Sequence, residues 1–152
     1  MTFFVTKTYP HSLGLSACFR QPYADSHCRD PHGYPLSFEL IFAAEELNDN
    51  NWVIDFGGLK GVKQFLVDTF DHRTVLAAND PALHDLQIVY RKHGFKEILV
   101  LPGVGCERFA QYVAVMVEHI LSAELQAGEH RGLRLVSVEC REHAGNSATY
   151  HK

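Results

Sequence analysis

Between Leu36 and Phe42 the side chains alternate with a period of two, with Leu36, Phe38, Leu40 and Phe42 on one side and Ser37 and Glu39 on the other. That period marks a strand with one face buried and one face wet. Such a strand is stable only in a sheet whose apolar face is covered by another layer. The cover follows soon after. Gly57-Gly58 hands over to Leu59, Val62, Phe65, Leu66 and Phe70, an apolar stripe at helical spacing. Asn79-Asp80-Pro81 supplies a cap and a first-turn proline, and Gly94 a stop, for a second helix over Leu83 to His93. A third begins at about Glu107 and carries Phe109, Tyr112, Val113, Met116 and Ile120 on one side.

The remaining segments are short. Phe3 to about Thr8 is a weaker strand, so the first fifty residues read as two strands around a polar loop. Asn48-Asp49-Asn50-Asn51 is a turn by composition, and Trp52 to Phe56 is expected to re-enter the sheet edge. Phe95 to Leu101 is short and apolar. The tail alternates again, Val136, Val138 and Cys140 facing one way and Arg134, Ser137 and Arg141 mostly the other. Strands, then helices, then one or two strands predict an α+β fold with helices on one sheet face. Residues 1–152 read as one domain, without repeat or linker.

Composition narrows the partners. Fourteen basic residues against eighteen acidic give a formal charge of -4, so no basic footprint argues for nucleic acid or an anionic membrane. No apolar run approaches the ~20 residues of a membrane span. The start, Met1-Thr2-Phe3-Phe4-Val5-Thr6-Lys7, lacks a signal-peptide layout, which predicts a cytoplasmic protein. Cys18, Cys28, Cys106 and Cys140 include no CxxC pair and are expected to be thiols in a reducing compartment.

Three constellations carry chemistry. In Ser26-His27-Cys28-Arg29-Asp30-Pro31-His32-Gly33-Tyr34, a cysteine and two histidines lie within six residues. Such a loop places ligands around zinc, or an activated thiol beside a metal, or is a polar surface loop. His32 and Tyr34 share the parity of Leu36, so both point to one side if the strand runs that far back. Asp71-His72 follows the first helix; a carboxylate beside an imidazole sets tautomer and basicity, though adjacent residues rarely bond each other well. The plainer reading is a histidine compensating a helix C-terminus. Glu142, by parity with Val138 and Cys140, points inward at a strand end. There its carboxylate requires either a basic neighbour or a ligand edge with two parallel N–H donors.

Together these residues resemble the pyruvoyl- and carboxy-tetrahydropterin synthases. Trp52-Val53-Ile54-Asp55-Phe56-Gly57-Gly58-Leu59-Lys60 followed by Phe70-Asp71-His72 is similar to the family signature. The Cys28 to Gly33 stretch ahead of a strand, and Glu142 before Tyr150, fall in the family's order. The resemblance implies a tunnelling fold: a four-stranded antiparallel sheet with helices on one face, closing edge to edge into a barrel-forming homo-oligomer, trimer or hexamer. It implies a lyase converting 7,8-dihydroneopterin triphosphate to 6-carboxy-tetrahydropterin, on a queuosine-type route, or to the 6-pyruvoyl product. Cys28 would be the thiolate base, Asp71 and His72 a proton relay reaching in from a neighbouring subunit, and Glu142 the pterin anchor.

The family's zinc is held by a histidine at the end of the first strand and by a His-x-His pair. In this chain those positions are Phe19, His32 and Tyr34. Because Cys28, Asp71, His72 and Glu142 all remain, the expectation is a rebuilt zinc site, with His32 and His27 as ligands and His11 or Cys18 as further replacements. The segment from about Asp80 to Leu101 resembles an insertion. Two other functions share these residues: a non-catalytic pterin- or purine-binding homologue, and a Cys28/His72 nucleophilic hydrolase.

Overall fold

The alternating segment is part of the longest strand, His32–Ala44, on which the rest of the sheet is assembled. In the computed structural model, which describes residues 1–152, the elements are β1 (Phe3–Tyr9), β2 (Leu15–Phe19), β3 (His32–Ala44), α1 (Lys60–Phe70), β4 (Arg73–Ala77), α2 (Leu83–His93), β5 (Leu99–Leu101), α3 (Cys106–Ile120), α4 (Ser122–Ala127), β6 (Arg134–His143) and β7 (Asn146–His151). Short 3-10 turns at His11–Leu13, His27–Arg29, Phe56–Leu59 and Glu129–Arg131 join them. No helix is long and apolar enough to cross a membrane.

β1 and β2 lie end to end along one edge of β3. Tyr9 faces Phe38 and Leu15 faces Leu36, so the two strands divide the length of β3 between them. Gly14, at φ 77, makes the break, a backbone conformation that costs glycine little. On the other edge β6 and then β7 continue the antiparallel pairing. The sheet does not stop at the expected four antiparallel strands. It has seven and is mixed, because β4 adds parallel to β2, and β5 parallel to β4. Val75 and Leu76, just past α1, are buried by this arrangement, and the open edge of β2 is covered.

Four phenylalanines show how the layers meet. Phe19 of β2 packs edge-on to Phe109 of α3 at 5.1 Å, Phe109 meets Phe70 of α1 at 5.5 Å, and Phe70 meets Phe38 of β3 at 5.1 Å. Helices α1 and α3 therefore cover the face carrying Leu36, Phe38, Leu40 and Phe42, all fully buried. Large aromatic side chains in edge-to-face contact contribute both area and geometry to such a core.

Two expectations about the strands need correcting. Trp52 to Phe56 does not re-enter the sheet: Asp55 accepts from the Gly57 N–H and starts the Phe56–Leu59 turn, leaving Trp52 and Phe56 exposed. In β6 the pairing shifts between Ile41, opposite Ser137, and Phe42, opposite Leu135, so Val136 is an extra residue. A bulge inverts the facing of what precedes it. The buried set is Leu135, Ser137, Val138 and Cys140, and Val136 is only half-buried.

Candidate functional site

Cys28 sits in the His27–Arg29 turn, whose first N–H groups are free to be capped. Ser26 Oγ accepts from the Cys28 N–H at 3.3 Å. The Cys28 carbonyl accepts from the Gln21 N–H at 2.8 Å, and the Gln21 side chain donates to the Val104 carbonyl at 2.8 Å. Arg20 donates to the Arg29 carbonyl at 3.3 Å. The end of β2 thus holds the Cys28 turn against the start of α3. Beyond the turn the chain enters β3 at His32. Gly33 lies so close to β2 that a Cβ there would stand 2.6 Å from the Ala17 carbonyl oxygen, so only glycine fits.

These elements line a cavity of about 190 Å³ with Phe19, Cys28, His32, Cys106, Glu107 and Glu142, together with Gln21 and, on β7, Asn146. Cys28 and His32, four residues apart, are brought together with Glu142 from the far end of the chain. Glu142 reaches the cavity through a second irregularity of β6, between Arg141, opposite Ser147, and His143, opposite Asn146. Tyr34 lies behind this wall. Burial pushes its phenol above the ordinary range, and Glu142, Cys28 and Cys106 add to the effect, since all three bear negative charge when ionised. Behind Cys106, burial holds the Cys140 thiol well above its usual range, helped by a hydrogen bond with Cys106. All four cysteines are free thiols.

Asp71 and His72 do not line this cavity in their own chain. They sit at the end of α1, where His72 turns to φ 51, a left-handed conformation that non-glycine residues adopt sparingly. That turn makes the direct bond between neighbours possible: His72 Nδ1 meets Asp71 Oδ1 at 2.6 Å. The imidazole is 86% exposed, so Nε2 faces solvent. Lys96 donates to the Asp71 carbonyl at 2.8 Å, tying the pair to the segment ahead of β5.

The donor set does not fit a zinc ion, which takes three or four histidine, cysteine or carboxylate ligands. No group of three such residues is gathered anywhere in the chain. Phe19 and Tyr34 occupy two of the positions where the resemblance places histidines. His27 is exposed on its turn and lies outside the cavity. His11 Nδ1 is engaged by the Pro35 carbonyl at 2.5 Å. Burial raises the Cys18 thiol, away from the thiolate form.

Gln21, Cys106 and Asn146 line the cavity without having been singled out by the sequence. Gln21 follows β2, a strand too short to announce itself. Cys106 opens α3 directly after the Gly103-Val104-Gly105 run, the one available signal that backbone approaches a ligand there. A larger cavity of about 470 Å³ between β1 and residues 47–56 is walled by Phe3, Phe4, Trp52 and Phe56. Asp55 is its one ionisable group, so it offers little for acid-base work.

Comparison with known proteins bears on the family and the fold. The family model described as 6-pyruvoyl tetrahydropterin synthase matches residues 11–152. A protein of Aquifex aeolicus named 6-carboxy-5,6,7,8-tetrahydropterin synthase is 27% identical over 140 residues, 91% of this chain and 85% of that one. Among solved structures, an uncharacterized protein of Wolinella succinogenes superposes with a TM-score of 0.80 at 16% identity, covering 99% of this chain and 98% of that one. The 6-pyruvoyl tetrahydropterin synthase of Plasmodium falciparum does so with 0.69 at 16% identity, covering 99% and 98%. These structures share the fold. The match over residues 11–152 places the chain in the 6-pyruvoyl tetrahydropterin synthase family.

Proposed function

We propose that the chain is a lyase acting on a dihydropterin, with 7,8-dihydroneopterin triphosphate as substrate and the 6-carboxy compound rather than the 6-pyruvoyl one as product. The observation that carries this reading is the meeting of Cys28, His32 and Glu142 in one cavity. Glu142 would accept two parallel N–H donors from the amino-pyrimidinone edge, a charge-assisted pairing. The Cys28 thiolate would take a proton from the substrate side chain. The relative from Aquifex aeolicus named for the carboxy compound supports the choice of product.

The cavity within one chain, about 190 Å³, is smaller than the several hundred Å³ common for ligand sites. A second copy supplying the missing wall answers that shortfall. The exposed Asp71–His72 pair would then serve as proton relay in that copy's cavity. The assembly is a homo-oligomer in this reading.

Incubation with 7,8-dihydroneopterin triphosphate, following triphosphate and acetaldehyde, is the test. Release of both is expected, falling about 100-fold or more in Cys28→Ala, since a general base contributes on that scale. Full activity of that variant would remove the base role. A second reading, a pterin- or purine-binding protein without turnover, is favoured by Phe19 and Tyr34 at two metal-ligand positions. Tight pterin binding with no product would select it.

A further inference from the structure

Where the family resemblance calls for three imidazoles, this chain has built a wall of tilted and edge-on aromatic rings. Phe19 on β2 faces His32 on β3 in the strand register. Their rings are 5.0 Å apart, Phe19 is 6.2 Å from Tyr34, and His32 stands edge-on to Tyr34 at 5.7 Å. Phe19 is not a surface substitution that a mobile ligand could displace. It is 2% exposed and edge-packed on Phe109, so it belongs to the core that joins β2 to α3. His32 Nδ1 donates to the Asp30 carbonyl at 2.8 Å, so Nε2 is the one nitrogen of this wall left to accept. Of the three positions where the resemblance places histidines, only His32 offers a nitrogen. Although Cys28, Cys106, Glu107 and Glu142 line the same cavity, no three such side chains are gathered as ligands. The wall is therefore a poor seat for a divalent ion. It is a good contact surface for a flat or apolar group.

Phe19 and His32 face the same cavity as Cys28 and Glu142. We infer that this site takes its ligand without a divalent metal, holding the ring substituent against the wall formed by Phe19 and His32 with Tyr34 behind. This inference rests on reading the cavity as a pterin site. Its consequence for specificity is direct. A metal rewards a substituent with neighbouring hydroxyls that chelate it, whereas an aromatic wall gains nothing from chelation. The ligand is therefore a pterin-like heterocycle held by its ring edge, and hydroxyls on its side chain add no affinity by chelation.

The test combines elemental analysis of the purified wild-type protein with fluorescence titrations of neopterin, which has vicinal hydroxyls, and 6-methylpterin, which has none. Both titrations are run with and without EDTA. The expected result is sub-stoichiometric metal, affinities for the two pterins within about threefold of each other, and no change with EDTA. A Phe19→His/Tyr34→His double variant is expected to gain stoichiometric zinc if it folds; the wild-type measurements stand without it. Stoichiometric zinc in the wild type, or neopterin affinity falling about tenfold or more with EDTA, overturns the inference. Metal-free protein that binds neither pterin defeats the pterin reading and this inference with it, whereas stoichiometric zinc beside pterin binding overturns this inference alone.

Discussion

Arg20 grips Asp80 with two parallel bonds, Nε to Oδ2 at 2.8 Å and Nη2 to Oδ1 at 2.6 Å. The same guanidinium donates to the Arg29 carbonyl, and Asp80 Oδ1 also accepts from the Ala82 N–H at 2.8 Å. The end of β2, the Cys28 turn and the start of α2 therefore hang on one ion pair. The Asp80 side chain is fully buried and that of Arg20 about one-fifth exposed.

Removing one partner of a buried pair leaves the other without compensation. Asp80→Asn is expected to destabilise the chain by about 2–4 kcal/mol, read by urea or guanidinium unfolding. A loss below about 1 kcal/mol would make the pair ornamental. Hydrogen bonding from Arg20 is the main reason Asp80 ionises below the ordinary carboxylate range, with the Ala82 N–H assisting. A carboxylate depressed in the folded state contributes in full above its unfolded pKa, near 4, and loses that contribution as pH falls through the folded value. Wild type should therefore lose more stability below about pH 4 than Asp80→Asn does.

Tyr9 sets the opposite limb. Its hydroxyl donates to the Leu59 carbonyl at 3.3 Å, and burial pushes the phenol from 10.0 to about 12. A raised value means stability complete below the unfolded pKa and lost as pH climbs toward the folded one. Between about pH 10 and 12 wild type should lose on the order of 1–3 kcal/mol more than Tyr9→Phe. Parallel alkaline profiles of the two proteins would contradict this.

Gly33 and Gly58 provide a matched pair. A methyl at Gly33 meets the Ala17 carbonyl at 2.6 Å, whereas one at Gly58 meets nothing within 4 Å. Gly33→Ala is expected to cost about 1–3 kcal/mol and Gly58→Ala less than about 0.5 kcal/mol. Equal thermal midpoints for the two would show that β2 and β3 can part without penalty.

Glu142→Gln keeps the shape of the side chain and removes its charge. Dihydropterin affinity is expected to weaken by about 1.5–3 kcal/mol, the worth of a charged hydrogen bond. Unchanged calorimetric titration of a dihydropterin would reject Glu142 as the anchor.

Much of the architecture was legible because burial leaves a period in the sequence. β3, α1, α2 and α3 are where Leu36–Phe42, Leu59–Phe70, Leu83–His93 and Phe109–Ile120 predict them. β2 was not, because five residues with three buried side chains are too few to show a period. Parity predicts an inward Glu142, and the residue does reach the cavity, but parity also predicts an inward Val136, and a bulge overrides that. Bulges depend on pairing across the sheet, which no local window contains. The mutual bond of Asp71 and His72 was likewise hidden, since it depends on a positive φ at His72. The missing imidazoles at 19 and 34 were plain in the sequence, but what replaced them, a ring cluster reaching Phe109, emerges only when β2, β3 and α3 meet.

The partnership of β3 with β6 bears on the order of folding. β1, β2 and β3 are neighbours along the chain and can zip together early, whereas Ile41 must wait for Ser137, almost two-thirds of the chain away. Contacts of such long sequence separation form slowly because loop closure has to precede them. Glu142 and Asn146 arrive with that last event. A nascent or partly refolded molecule would thus display the Cys28 turn without the opposite wall, and recovery of ligand binding should lag behind recovery of helical signal.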